Sequence, residues 1–547
     1  MVTVNVNKKY LLQLIGKKVS DAQLEEALHQ IKSPIDSMDS DNLVIEVNGD
    51  RPDLLSAEGI SRALKGYLGI EKGNPVEKFQ KSGIIVNIDS SVKAVREFIV
   101  CAVIENLKIS KDDFADLIQI QEKLTLTHGR KRKKVAIGLH DMSMLVAPYF
   151  YKAVEPKSVS FIPLGKDRKM DLQEIIEKHE KGIDYAYILD GAKKYPVIFD
   201  SKNQVLSFPP IINGALTMLT TNTRYIFIDI TGLDYHACNI ALNILCQDFA
   251  DRGAVVKTVE IKSGGNSITS PETSPEKMEL DIGFANKLLG TELSAKQIIE
   301  CLEKQRISAK IKNAKTIECL IPKYRADFLH PVDLVEEVAL GYGYNKFVPR
   351  QPSVYTKGEL SENTKLIDDA ASLMVGFGFM QINTPILTNA KLAQKVKSDS
   401  KLVKISNPIS EEYENVRASL LPQILDTLSK NTHNIYPQKI FEIGSTIVAN
   451  PKIDVQCENN ISIAAAIASP TANISDLSPV LLELLKKLQL EFDLHKSELK
   501  MFISGRQSQL KGRNGIFGEF GEINPEILEL LKMEVPVSAF EIIIKRN

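Results

Sequence analysis

Residues 5–70 and 280–345 of this 547-residue chain read as two copies of one pattern, and that duplication constrains the fold more than any other feature. Each copy carries apolar residues at helical spacing, Leu24–Ile31 and Ile298–Leu302, followed by a β-rich run, Leu43–Val47 and Thr316–Ile321. A second helical stretch closes each copy, EGISRALKGYLGI in the first and VDLVEEVALGYGYN in the second. With one residue of slack, Arg51 and Asp53 fall on Arg325 and Asp327, and Gly66-Tyr67 on Gly341-Tyr342. Gly16 and Gly290 suit helix C-termini, where a left-handed residue ends the turn. Two separated copies of a small α+β unit exclude a single core, and the length fits three or four domains.

The expected organisation is multidomain α+β. A first small α+β domain spans 1–85 and its copy 272–350. Between them, over 90–265, β-rich runs such as IVCAVIENL, KVAIGLHD and YIFIDIT alternate with helical patterns such as CNIALNILCQDFADRG, which predicts a separate α/β or α+β domain. The stretch Lys262–Pro275 is rich in Ser, Gly, Thr and Pro and reads as a linker. Another boundary falls near Val348–Leu360, and 358–547 forms the last domain, read from its residues as α/β.

Lys and Arg total 68 against 69 Asp and Glu, a net charge of −1, so the whole molecule offers nucleic acid no attraction and any contact needs a local patch. One exists at His128-Gly129-Arg130-Lys131-Arg132-Lys133-Lys134. It either neutralises phosphates or is a solvated loop. The six cysteines form no C-x-x-C pair, which disfavours a zinc ribbon or a disulfide framework and fits a reducing compartment. No charged start precedes an apolar core at the N-terminus and no run approaches about 18 apolar residues, so a cytoplasmic protein without membrane contact is expected.

The sharpest local signal is YRADFLHPVDLVEEVALGYGYNKF, residues 324–347. Pro331 suits a first helical turn, which sets Asp333, Glu336 and Glu337 at i, i+3 and i+4 with Asp327 on the turn before. An all-oxygen set of this kind favours Mg²⁺ over zinc. The alternative is that acidic side chains suit a helix N-terminus and face water. Ser61 and Arg62 stand at the matching positions of the first copy, so a metal site belongs to the second copy only. In the central region, LSFPPIING and IFIDITGLDYHAC set polar groups beside apolar strands; Asp229 and Asp234 bracket Thr231-Gly232, and His140-Asp141 ends another strand. A pocket or plain turn chemistry would explain them equally. Nucleophile elbow, H-E-x-x-H, P-loop and G-x-G-x-x-G patterns are all missing.

Together the opening NKKYLLQLIGKKVSD, NGDRPDLLSAEGISRALKGYLGI, SFPPIING, FIDITGLD and the 324–347 segment resemble, in order through essentially the whole chain, the β-subunit family of phenylalanyl-tRNA synthetase in its archaeal and eukaryotic cytosolic form. The resemblance implies a heterotetramer of two α and two β subunits in which α carries the active site for ATP, phenylalanine and the end of tRNA(Phe). It implies for this chain a central α/β editing-type domain that hydrolyses mischarged Tyr-tRNA(Phe), and a C-terminal class II synthetase-like antiparallel-sheet domain lacking catalytic motifs. It also implies Mg²⁺ on Asp327, Asp333, Glu336 and Glu337.

In that last domain Gly378–Pro385 looks like the class II interface motif, and Arg417 like the start of the second motif, but Ala418-Ser419 follows where an active enzyme has an acid. The third motif is missing; its nearest run, ISGRQSQLKGRNG, has the wrong spacing. Gly49 stands where the family commonly has proline. Editing of tyrosine requires a site that rewards the added hydroxyl, and the candidates are Leu206, Ser207, Asn213, Thr231 and Asp234. Asp234 is expected to read the hydroxyl or amino group, Ser207 and Asn213 to orient ester or water. The competing readings are a stand-alone RNA-binding or assembly scaffold without editing, and an independent hydrolase of mischarged tRNA.

Overall fold

The computed structural model describes residues 2–75, 79–107, 111–352, 355–398, 401–513 and 515–544. Ser353 and Val354 of the expected boundary and Asn514 of the ISGRQSQLKGRNG run lie outside them. The chain divides into two compact units, 1–350 and 351–547.

In the first unit the duplication is explicit. Strands Val2–Asn7, Ile35–Met38 and Asn42–Val47 form an antiparallel sheet with Asn42–Val47 in the middle, and Glu276–Asp281, Ser308–Ile311 and Thr316–Ile321 repeat it with Thr316–Ile321 in the middle. Each sheet carries three helices: Lys8–Ile15, Asp21–Gln30 and Ala57–Tyr67, then Ile282–Leu289, Ala295–Lys304 and Pro331–Tyr342. The sequence signals the second and third of each set; the first is a short helix capped by Asn7 in one copy and Asp281 in the other. Gly16 and Gly290 end those helices at φ 71° and 68°. Capping boxes at Ser20/Gln23 and Ser294/Gln297 start the next helix in both.

The region between the copies is built on one 10-stranded sheet. Its pairings are antiparallel except where Gln80–Ile88 runs parallel to Val255–Ser263 and to Tyr149–Val154. It is therefore α+β rather than α/β, since all but two of its neighbouring strand pairs run antiparallel. Helix Tyr235–Asp251 covers one face, its buried Ile240 and Ile244 in one apolar cluster with Ile226, Ile228 and Ile230. The expected linker is also corrected: Val255–Ser263 and Asn266–Ser270 form a hairpin turning at Gly264 and Gly265, φ 55° and 89°. A two-residue turn with both residues left-handed needs the same small residues that a linker contains, so composition does not separate them.

In the second unit, strands Gln438–Ala449, Cys457–Ala468, Val537–Ile544, Gly515–Ile523, Phe502–Gly512 and Asp493–Lys496 pair antiparallel in that order, and the short strand Met380–Gln381 adds in parallel to Gln438–Ala449. This unit is likewise antiparallel-sheet α+β, not α/β. Helix Leu421–Lys430 buries Leu421, Ile424, Leu425 and Leu428 on one face of the sheet, and Ile474–Lys487 buries Leu477, Leu481, Leu484 and Leu485 on the other. Among the described residues no helix is long and apolar enough to cross a membrane.

Candidate functional site

Strand Ile226–Gly232 explains how a polar site can sit in a buried sheet. Side chains alternate along a strand, so Ile226, Ile228 and Ile230 face the helix while Asp229 and Thr231 face the opposite side. The edge strand Val135–Asp141 pairs with it so that Gly138 lies opposite Asp229, Ala136 opposite Thr231 and His140 opposite Phe227. Small residues at 136 and 138 leave room above the two polar groups. A Cβ on Gly138 would come within 2.2 Å of Asp229 Oδ2 and 2.7 Å of His140 Nε2, so this glycine is dictated by the carboxylate beside it.

The space they leave is a cavity of about 410 Å³, within the roughly 300–1,000 Å³ typical of small-molecule sites. Asp229 and Thr231 line its floor, helix Lys111–Leu126 contributes Gln121, Glu122 and Thr125, and the hairpin Val205–Phe208 to Ile212–Asn213 supplies Ser207 and Asn213. Asp229 is 2% exposed and its Oδ2 lies 2.6 Å from His140 Nε2, while His140 Nδ1 lies 2.8 Å from Thr217 Oγ1. That chain fixes the carboxylate's orientation. Arg96 holds Thr231, its Nε donating to Oγ1 at 2.9 Å and Nη2 to the carbonyl at 2.6 Å. Asn213 Nδ2 donates to the Leu139 carbonyl at 3.4 Å. Ser207 Oγ is buried with no hydrogen-bond partner among the described residues, and a buried hydroxyl left unmet costs about 1–3 kcal/mol until something fills the cavity. Cys101, buried on the neighbouring strand, is no nucleophile, because burial pushes its thiol well above the ordinary range.

Three of the expected residues, Ser207, Asn213 and Thr231, thus line one cavity, and Asp234 does not. Asp234 is the N-cap of helix Tyr235–Asp251: its Oδ1 accepts from the Ala237 N–H at 3.1 Å and its Oδ2 pairs with Lys134 Nζ at 3.1 Å, with the side chain 42% exposed. Partial burial would raise its pKa, but the Ala237 N–H and Lys134 outweigh it and hold the carboxyl below its usual range. The buried acid of the cavity is Asp229, beside Gly138 and held from behind by His140 and Thr217, while Glu122 is an exposed acid of the lining. Polar residues at 229 and 231 alternating with isoleucines were the available sequence signal for Asp229; the partners come from distant strands whose register the sequence does not display. Leu206 does not line the cavity; it packs in the apolar cluster that holds Phe227, Cys101 and Ile198.

In the second copy the acidic set is engaged within the protein. Arg325 lies between two of the four carboxylates: its Nε and Nη2 donate to Asp327 at 2.9 and 2.6 Å, and Nη2 donates to Glu337 at 2.9 Å, with all three side chains nearly or fully buried. Burial works to raise the Asp327 carboxyl, yet Arg325 draws it down to about 2. Asp333 Oδ2 accepts from the Leu329 and His330 N–H groups at 2.7 and 2.8 Å, capping the helix, and Glu336 reaches Lys32 of the first copy at 3.0 Å. Among the described residues no three His, Cys, Asp or Glu gather as a metal would require. As arranged here the four carboxylates do not converge as a Mg²⁺ cage: Arg325 holds Asp327 and Glu337, Asp333 caps its helix and Glu336 pairs with Lys32. Arg51 and Asp53 repeat the bidentate pair in the first copy at 2.9 and 2.8 Å, as the alignment of the copies requires.

In the second unit Arg417 is 3% exposed and paired to Glu442 at 2.6 Å, with further hydrogen bonds to the Ser445 carbonyl and Thr384 Oγ1. A Cβ on Gly444 would strike its Nη2 at 2.2 Å. Residues Ile503–Gly512 of the ISGRQSQLKGRNG run lie on strand Phe502–Gly512. Pro385 is exposed beside Ile386 and Leu387, 47% and 38% exposed.

Comparison with known proteins places two family models on the chain: the phenylalanyl tRNA synthetase beta chain CLM domain over residues 348–544 and the tRNA synthetase B5 domain over 278–344. The phenylalanine–tRNA ligase beta subunit of Thermococcus onnurineus is 35% identical over 567 residues, covering 100% of this chain and 99% of the relative. That of Archaeoglobus fulgidus is 38% identical over 513 residues, covering 93% and 92%. Among solved structures, an N-terminal fragment of the phenylalanyl-tRNA synthetase beta subunit from Pyrococcus horikoshii is 36% identical with a TM-score of 0.60, covering 63% of this chain and 100% of the fragment.

Proposed function

This chain belongs to the phenylalanyl-tRNA synthetase β-subunit family, which makes it a subunit of an aminoacyl-tRNA ligase, and we propose that its own chemistry in that ligase is hydrolysis of Tyr-tRNA(Phe) in the Asp229 cavity. The observation that carries this reading is that Asp229, Thr231 and Ser207, whose buried hydroxyl has no hydrogen-bond partner among the described residues, line one cavity of about 410 Å³. An active site shaped for phenylalanine cannot strongly reject a side chain that merely adds a hydroxyl, so a second site must reward that hydroxyl with a hydrogen bond. Asp229, held by His140, is the acceptor suited to the tyrosyl hydroxyl or the amino group; Ser207 and Asn213 orient the ester or a water. An aminoacyl ester is activated enough for a positioned water, which fits a cavity with no activated nucleophile.

Attachment of phenylalanine belongs to the α partner, in a heterotetramer of two α and two β chains that binds ATP and tRNA(Phe). Two features of the second unit support a silent role there. Arg417 is spent on Glu442 and cannot be offered to a phosphate, and the exposed Pro385-Ile386-Leu387 segment suits a subunit contact. Magnesium enters this reading with ATP on the partner, and no step is assigned to Asp327, Asp333, Glu336 and Glu337. The domains at 1–85, 90–265, 272–350 and 358–547 then serve as a scaffold pair, an editing domain and a partner-binding domain, in the cytoplasm where translation runs. Co-purification with the α chain followed by deacylation of preformed Tyr-tRNA(Phe) tests the proposal: loss of hydrolysis in Asp229→Ala with phenylalanine charging intact is expected, and unchanged hydrolysis would overturn it.

A further inference from the structure

The basic run between helix Lys111–Leu126 and strand Val135–Asp141 is not a slack surface loop. Arg130, Lys131 and Arg132 are all left-handed, φ 48°, 52° and 69°, an unusual succession for residues that carry a Cβ. The turn is closed by its own backbone: the Lys131 N–H donates to the Leu126 carbonyl, Lys133 to Arg130, and both Lys134 and Val135 to Gly129. Arg132 then pins it to the cavity wall, its Nη1 donating to the Pro210 and Ile211 carbonyls at 3.1 and 2.6 Å while the guanidinium stacks 4.2 Å over Tyr185. With Arg132 turned inward to line the cavity, its neighbours Arg130, Lys131 and Lys133 are exposed. Among the described residues none of them has an ion-pair partner, nor has Lys181, which lines the cavity one helical turn before Tyr185. Tyr187, 49% exposed, donates its hydroxyl to the Lys131 carbonyl at 3.4 Å and lies beside these cations.

We propose that this rigid lip, Arg130, Lys131 and Lys133 with Tyr187 and Lys181, is the docking surface for the single-stranded 3′ end of an RNA, whose last nucleotide then enters the cavity. The proposal rests on the reading of the cavity as an aminoacyl-ester hydrolysis site. Free cations fixed in position beside an exposed aromatic ring are what a single strand needs, phosphates on the cations and a base on the ring, with no demand on base identity. A chain of net charge −1 has no general pull on RNA, so cations at this one opening would determine where the strand docks.

The test uses the complex with its co-purified partner and the triple variant Arg130→Gln, Lys131→Gln, Lys133→Gln, which leaves Arg132 and the cavity wall in place. Binding of a fluorescent single-stranded RNA of roughly 12 nucleotides ending in CCA is followed by anisotropy across a salt series. The wild type should bind it and the variant should weaken about tenfold, with the slope of log K against log salt falling by about 2, since each single-strand phosphate contact contributes about 0.7. In deacylation of Tyr-tRNA(Phe), the variant's KM should rise about tenfold at unchanged kcat. Unchanged affinity and salt slope in the variant, or displacement of the RNA by polyglutamate as readily as by unlabelled RNA, would overturn the proposal. An Asp229→Ala variant that still hydrolyses would overturn the cavity reading instead, and the RNA-binding arm would still decide the lip.

Discussion

Replacing Arg325 by methionine removes the one cation that Asp327 and Glu337 share. The Asp327 carboxyl, ordinarily near 3.8, is drawn to about 2 by that guanidinium against the opposing effect of burial. A depression of that size is worth roughly 2 kcal/mol of folded-state stability, present above the unfolded value and lost as pH falls from about 4 toward 2. Glu337, 1% exposed, loses its partner in the same variant. Two buried carboxylates stripped of their cation should cost about 3–5 kcal/mol near neutral pH. The readout is amide hydrogen exchange of helix Pro331–Tyr342, which bears Glu337. Its protection should fall by roughly 10²–10³-fold at pH 7 in Arg325→Met. Acidification to about pH 4.5 should narrow the gap, because burial lifts the unpaired carboxyls and they take up protons. A loss of protection under about threefold, or one that grows on acidification, would refute the reasoning. So would a rise in wild-type protection of this helix on adding millimolar Mg²⁺, because the carboxylates would then be closing on a metal.

Gly138→Ala should reduce Tyr-tRNA(Phe) deacylation by about 10²-fold or more while phenylalanine charging by the complex holds, since the added methyl falls 2.2 Å from Asp229 Oδ2 and must displace it. Asp234→Ala should cost about 1 kcal/mol of stability through loss of the N-cap and leave deacylation within a few-fold, a result read by thermal melting beside the same assay; loss of hydrolysis there would return Asp234 to the site. The purified chain without its partner should show no phenylalanine-dependent ATP–pyrophosphate exchange, given that Arg417 is buried against Glu442.

What the sequence discloses follows what is local. The duplication is legible because its markers sit within a few residues of one another: Arg51 with Asp53, Arg325 with Asp327, and glycines that end helices. Ser207, Asn213 and Thr231 are legible as polar groups on apolar strands, but which acid joins them is decided by strand register. Asp234 has the composition of a site residue and the position of a helix cap. The four acids near Pro331 have metal-like spacing, yet Arg325 in the same segment pairs with two of them, Asp327 and Glu337. The central domain's strands and helices alternate as in a parallel fold, and only their partners in the sheet reveal the mostly antiparallel pairing.

The two copies meet directly: the Asn74 N–H donates to Ser308 Oγ and the Ser308 N–H returns a bond to Asn74 Oδ1, across 234 positions of sequence. Gly66 presses so close to the Lys304 carbonyl that a Cβ there would lie 2.3 Å away. The union of the copies is therefore a contact of high sequence separation that closes a loop holding the entire central sheet. Loop closure of that length is an entropic cost met before the contact forms, so the copies should fold locally, the central sheet should draw their ends together, and the join should form last. A destabilised central strand would then register first as slow docking between two copies that are themselves intact.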